Sequence, residues 1–139
     1  MRTLLSIFAL ICLMSCQQNI SESDLSKLNG YWEIKEVVFP DGSTKEYKAN
    51  TTIDFIETAN LKGIRKKVQP TLKGTYFAND DAESFTIRQK GESYEIYYKN
   101  DYSEWSELLT SLSQHQFSVV NKEGVTYHYK RYEPININE

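Results

Sequence analysis

Residues 84–99, SFTIRQKGESYEIYYK, read as two strands and the turn between them. Phe85 and Ile87 alternate with polar neighbours over Ser84 to Gln89. Lys90-Gly91-Glu92 turns the chain, and Tyr94, Ile96 and Tyr98 then alternate against Glu95, Tyr97 and Lys99. A period of two on both sides of a tight glycine turn is the pattern of an antiparallel hairpin with one buried face.

The same pattern extends in both directions. Downstream, Phe117 to Val120 is a strand, Lys122-Glu123-Gly124 a hairpin turn, and Val125 to Tyr132 the last strand. Residues 105–112, WSELLTSL, suit either a helix with Leu108, Leu109 and Leu112 on one face or a strand pairing Leu108 with Leu112. The flanking strands favour the strand. Upstream, Leu72 to Phe77 is a strand followed by Ala78-Asn79-Asp80-Asp81 as a turn. Residues 58–70 are the least readable; within them Leu61 to Val68 reads as a loop or an edge strand, where lysines discourage edge pairing. Thr51 to Glu57 is a strand in which Ile53 and Phe55 alternate with Asp54 and Ile56.

Tyr31 to Phe39 is the first strand, with Trp32, Ile34 and Val38 on one face and Tyr31, Glu33, Lys35, Val37 and Phe39 on the other. Pro40-Asp41-Gly42-Ser43 turns it, and Thr44 to Tyr47 returns. Ser23 to Gly30 forms a short helical turn, capped by Ser21 or Ser23, with Leu25 and Leu28 on one side. Eight or nine short strands with turns every eight to twelve residues predict an all-β antiparallel up-and-down barrel of about eight strands, preceded by one helical turn. Tyr, Phe and Trp, which favour pleated surfaces, are abundant: ten, six and two of 139 residues.

The N-terminus has a different character. Arg2 precedes the apolar run Leu4 to Met14, which has signal-peptide length and is too short to span a bilayer. Leu13-Met14-Ser15-Cys16 resembles the bacterial lipobox. That resemblance implies cleavage before Cys16, diacylglycerol attachment to its sulfur and N-acylation, for instance with palmitate; several acyl chains anchor stably where one is marginal. The expected organisation is a signal peptide over 1–15, a lipidated cysteine and polar tether over 16–24, the barrel over 25–133 and a fraying tail over 134–139. Cys12 leaves with the signal, so no thiol remains for a disulfide or thiolate metal site. Loss of Arg2 leaves 15 basic against 19 acidic residues, a balance that argues against nucleic acid as a partner.

Gly30-Tyr31-Trp32, opening the first strand after a helical turn, resembles the Gly-x-Trp signature of the lipocalins. In that family a basic residue near the end of the last strand packs over the Trp, and Arg131 stands at the matching position. Leu28-Asn29-Gly30-Tyr31-Trp32, the Asp41-Gly42 turn and the Tyr-rich hairpin over 117–132 are together similar to the small lipocalin-like domains of bacterial lipoproteins, especially those of Bacteroidetes. The resemblance covers residues 25–132. The chain is shorter than the larger lipocalins and lacks their Thr-Asp-Tyr motif and disulfide. A barrel of about eight strands can be filled by its own side chains or hold one small ligand.

No constellation amounts to an active site, although serines and aspartates are numerous enough for a Ser-His-Asp triad. His115 and His128 lie thirteen apart with no cysteine to complete a zinc site, and no Gly-x-Ser-x-Gly elbow occurs. Asp80-Asp81 falls in a turn, and Glu104 and Glu107 flank Trp105; each pair reads as a solvated face. No phosphate or calcium loop, and so no cofactor, is implied. Lys62, Arg65, Lys66 and Lys67 form the only basic run, a solvated loop or edge or a contact for anionic headgroups. Tyr94, Tyr97, Tyr98, Tyr127, Tyr129 and Tyr132 are the most distinctive set. A pocket, if one exists, is expected to be lined by Phe85, Ile87, Tyr94, Ile96, Tyr98, Tyr127 and Tyr129.

The expectation is a non-enzymatic lipoprotein of the outer membrane, on its periplasmic face, binding a small apolar or amphipathic molecule. The alternative is an accessory subunit or inhibitor in an envelope complex, working through its outer surface.

Overall fold

A computed structural model describes residues 19–134; the segment expected to be a signal peptide, Cys16 and the tail from residue 135 lie outside the described residues. Nine strands follow a 3-10 helix, Glu22–Leu28: β1 Gly30–Val38, β2 Thr44–Glu46, β3 Ile53–Ala59, β4 Lys62–Pro70, β5 Tyr76–Lys90, β6 Ser93–Lys99, β7 Glu104–Leu112, β8 Gln116–Asn121 and β9 Thr126–Arg131. All pairings are antiparallel. The order is β2-β1-β3-β4-β5-β6-β7-β8-β9, and β1 also pairs with β9 from Trp32–Arg131 to Val38–Thr126. That seam closes eight strands into a barrel, leaving β2 as a short flap on the far half of β1. The fold is therefore an all-β antiparallel up-and-down barrel with one short helix.

The helix closes one end. Asp24 accepts hydrogen bonds from the backbone N–H and the hydroxyl of Ser21 (3.0 and 2.8 Å). Leu25 and Leu28 are buried in the core, and so is Ile20. Ile20 lies in the stretch expected to be a polar tether over 16–24, and its side chain covers the barrel floor. Above the helix, Trp32, Ile56, Phe85, Ile87, Leu109, Leu112, Phe117 and Val119 fill the closed half. Trp32 is fully buried, donates from Nε1 to the Leu28 carbonyl at 2.8 Å and meets Phe117 edge-on with centroids 4.7 Å apart. Gly63 pairs with Phe85 across β4 and β5, and a Cβ there would collide with the Phe85 ring and the Glu57 carbonyl.

Bulges alter the faces expected from strict alternation. Between Ile34 and Glu36 the β1–β9 register shifts by one, so Val37 turns inward and is buried in place of Val38. In β7 a shift between Leu109 and Ser111 puts Leu109, not Leu108, on the same face as Leu112. Residues 78–81 are no turn. They lie within the continuous strand β5, where Asn79, Asp80 and Asp81 bulge opposite Lys67. Segment 62–70 is an interior strand hydrogen-bonded on both sides, not a loop or edge. A two-residue hairpin, Asn60-Leu61, joins it to β3, both residues having positive φ (54° and 64°) as a type I′ turn requires. On β3 it is Asp54 and Ile56 that face inward. Phe55 faces out, 5.0 Å from Tyr31, which stacks on Tyr76 at 4.1 Å.

Candidate functional site

The open half of the barrel carries a charged and aromatic layer. Ile56 faces Arg65 across the β3–β4 pair, and Asp54 faces Lys67. This register carries Arg65 into the interior, with only 12% of its side chain exposed, while Lys67, two residues further along β4, keeps its ammonium at the mouth. Arg65 Nη2 lies 3.1 Å from Asp54 Oδ2, and Nη1 donates to the Tyr98 hydroxyl at 3.1 Å. Lys67 Nζ takes the other oxygen of Asp54 at 2.7 Å. The guanidinium carbon lies 4.9 Å from the Tyr129 ring centroid, a cation–π distance. Sequence reasoning placed Arg65 in a solvated basic run. The structure separates that run by alternation: Lys66 faces out over the Phe55 ring, and Arg65 points in.

Electrostatics follow from this burial. It pushes Asp54 up, but Arg65 and Lys67 outweigh it and hold the carboxyl below its ordinary range. Burial disfavours charge on Arg65 as well; the oxygens of Tyr98, Tyr129, Asp54 and Glu107 reverse that and keep it protonated. Burial raises Tyr98, and pushes Tyr129 up to about 12. Glu107 is raised by burial, with Arg65 opposing. Its Oε2 is shielded from solvent and has no hydrogen-bond partner among the described residues. Glu104 faces the outside, where the Tyr97 hydroxyl donates to it. The two glutamates flanking Trp105 therefore lie on opposite faces and form no acid–base pair.

Two cavities open in this layer. One, of 340 Å³, is bounded by Asp54, Arg65, Lys67, Tyr98, Trp105 and Glu107, among others. The other, of 590 Å³, is bounded by Trp105, Glu107, Tyr127 and Tyr129 together with the β8–β9 turn. Trp105 and Glu107 belong to both. Trp105 stacks on Tyr98 with centroids 5.1 Å apart and an interplanar angle of 8°. Of the residues expected to line a pocket, Phe85, Ile87, Tyr94 and Ile96 are packed in the buried core. Tyr98 and Tyr129 are buried with them but reach the cavities, and Tyr127 lines the larger one. Arg65, Asp54, Trp105 and Glu107 were not foreseen. Counting back from Asn60-Leu61 as a two-residue turn would have set Asp54 and Arg65 on one face.

At the closed end Arg131 covers Trp32, its guanidinium carbon 3.8 Å from the ring centroid. Gly30 has φ +123°, and a Cβ there would strike Arg131 Nη1. His128 is on the outer face, where its Nδ1 shares a hydrogen bond with Ser118 Oγ at 2.6 Å. His115 sits in the β7–β8 turn. No group of three metal-ligating side chains occurs among the described residues.

No protein-family profile matches the chain, and no curated protein is significantly similar to it. Two solved structures are similar: a lipocalin-like protein from Bacteroides uniformis and an uncharacterized protein from Bacteroides eggerthii. They are 13% and 14% identical, both with TM-score 0.48, over 76% of this chain and 99% of each of theirs. The barrel assignment rests on the strand order and the β1–β9 seam. With the helix across one end, these define a closed antiparallel up-and-down barrel.

Proposed function

We propose that this chain is a non-enzymatic, lipid-anchored lipoprotein of the outer membrane, on its periplasmic face, whose barrel binds a small amphipathic molecule. One observation supports this most: the closed half of the interior is filled with apolar side chains, while the open half holds cavities walled by rings and charges. An apolar floor under a polar, aromatic mouth suits a ligand with an apolar body and a polar head. The anchor would be Cys16.

Native mass spectrometry of the protein purified from its own cells tests the binding reading. Extra mass that denaturation removes supports it. Bare protein mass, with no uptake of added amphiphiles, turns the reading toward the outer surface, where Leu72, Phe77 and Tyr102 are largely exposed. An envelope accessory subunit or inhibitor is then the better description. Cys16→Ser tests the anchor: the variant should leave the membrane fraction, and retention there would overturn the lipoprotein reading.

A further inference from the structure

The larger cavity exists because two neighbouring strands stop at different heights. β8 pairs with β7 only as far as Asn121, opposite Glu107, whereas β7 continues to Glu104, held by β6 alone. The β8–β9 turn folds below this overhang and leaves a notch in the barrel wall. Three rings face it, those of Trp105, Tyr127 and Tyr129. Its charged groups are Glu104, Glu107 and Glu123 against a single Lys122. Arg65 does not line it; that guanidinium is engaged by Asp54 and Tyr98 and sits against Tyr129, although its charge also acts on Glu107. Glu107 differs from the other two carboxylates. It lies inside the wall, and one of its oxygens is buried without a donor.

A buried acceptor left unpaired is costly, and a donor arriving with a ligand relieves that cost. Carboxylates beside aromatic faces attract organic cations, through charge and through the ring quadrupole. The same carboxylates repel an anionic head. We infer that the notch is a subsite for a primary ammonium group, with Glu107 as its acceptor and counter-ion, Trp105 and Tyr127 as its walls, and the ligand's apolar portion in the barrel mouth. This rests on the binding reading above and specifies its ligand class as an alkylamine.

Calorimetry on the full chain in a non-ionic maltoside detergent, with hexylammonium, hexanoate and hexanol as probes, tests it. Hexylammonium should bind about tenfold or more tighter than hexanoate, the scale of one charge-assisted hydrogen bond. Glu107→Gln should abolish that preference, weakening hexylammonium far more than hexanol. Tyr127→Leu, which keeps the carboxylate, should weaken hexylammonium severalfold and hexanol less; it also serves if the Glu107 variant does not fold. Equal or tighter binding of hexanoate overturns the ammonium subsite but leaves an amphiphile-binding barrel. Loss of all three probes together in Glu107→Gln means that the residue is structural, and also overturns it. No binding of any probe to the parent protein overturns both readings.

Discussion

Arg131 spans the closed end of the barrel as a clamp on Trp32: it covers the indole and donates to three backbone carbonyls, of Asn29 (2.6 Å), Lys27 (2.9 Å) and Gln114 (3.1 Å). Helix end, first strand and the β7–β8 turn are thereby tied to the last strand. A lysine keeps the charge but has no planar fork to reach three acceptors. Arg131→Lys should cost about 2 kcal/mol, from lost charge-assisted hydrogen bonds and a weaker ring contact. The midpoint of urea unfolding reads this, and an unchanged midpoint would refute the clamp.

Asp54 and Arg65 are a buried pair, so losing one leaves the other's charge inside the barrel with a weaker partner, the exposed Lys67 for Asp54 and the Tyr98 hydroxyl for Arg65. Arg65→Met should destabilise by about 3 kcal/mol or more, and so should Asp54→Leu. The double variant should be less damaging than the sum of the two, because the penalty in each single comes mainly from the orphaned charge. A double-mutant cycle measures this, and simple additivity would show that the two groups do not act together.

The carboxyls of Asp54 and Glu107 give opposite slopes of stability against pH. Burial raises Glu107 above its ordinary 4.5. The folded state then holds that proton more tightly than the unfolded chain does, and stability falls as pH rises from 4.5 through the raised value. Asp54 is pushed up by burial, but Arg65 and Lys67 bring it below 3.8. Its contribution is complete above 3.8 and is lost as pH falls through the folded value. Melting temperatures across pH should therefore show two limbs. Glu107→Gln should flatten the upper limb and Asp54→Asn the lower.

Gly63 makes room for the Phe85 ring. Gly63→Ala should cost about 1–3 kcal/mol through overpacking. Phe85→Leu alone also destabilises, but in combination it should recover part of the Gly63→Ala loss. Failure of that rescue would place the conflict at the Glu57 carbonyl instead.

Much of the barrel was legible because its clearest hairpin, 84–99, alternates without interruption. The helical turn before Gly30 and the pairing of Trp32 with Arg131 followed from local signals and a family resemblance. The errors of face on β1 and β7 share one physical cause. A single extra residue at Lys35 or Thr110 reverses every later side chain on its strand, and composition carries no mark of it. Asn79-Asp80-Asp81 has turn chemistry, which a bulge uses equally well. The Asn60-Leu61 turn places leucine where glycine is usual, so the hairpin that aims Arg65 inward went unread. Half of the candidate site was hidden with it, since Arg65 becomes an interior residue only once its register against Asp54 is known.

The β1–β9 seam sets an order on assembly. Each remaining neighbour pair in the barrel is joined through local chain, so hairpins can form one after another from β3 onward. The seam waits for the whole chain: Arg131 reaches acceptors 102 and 104 residues upstream. Until it arrives, the first and last strands both present bare edges, the geometry that recruits other chains. A chain ending before β9 is thus a curled sheet with two adhesive rims, and the six-residue strand β9 decides whether the product is a closed cylinder or a seed for aggregation.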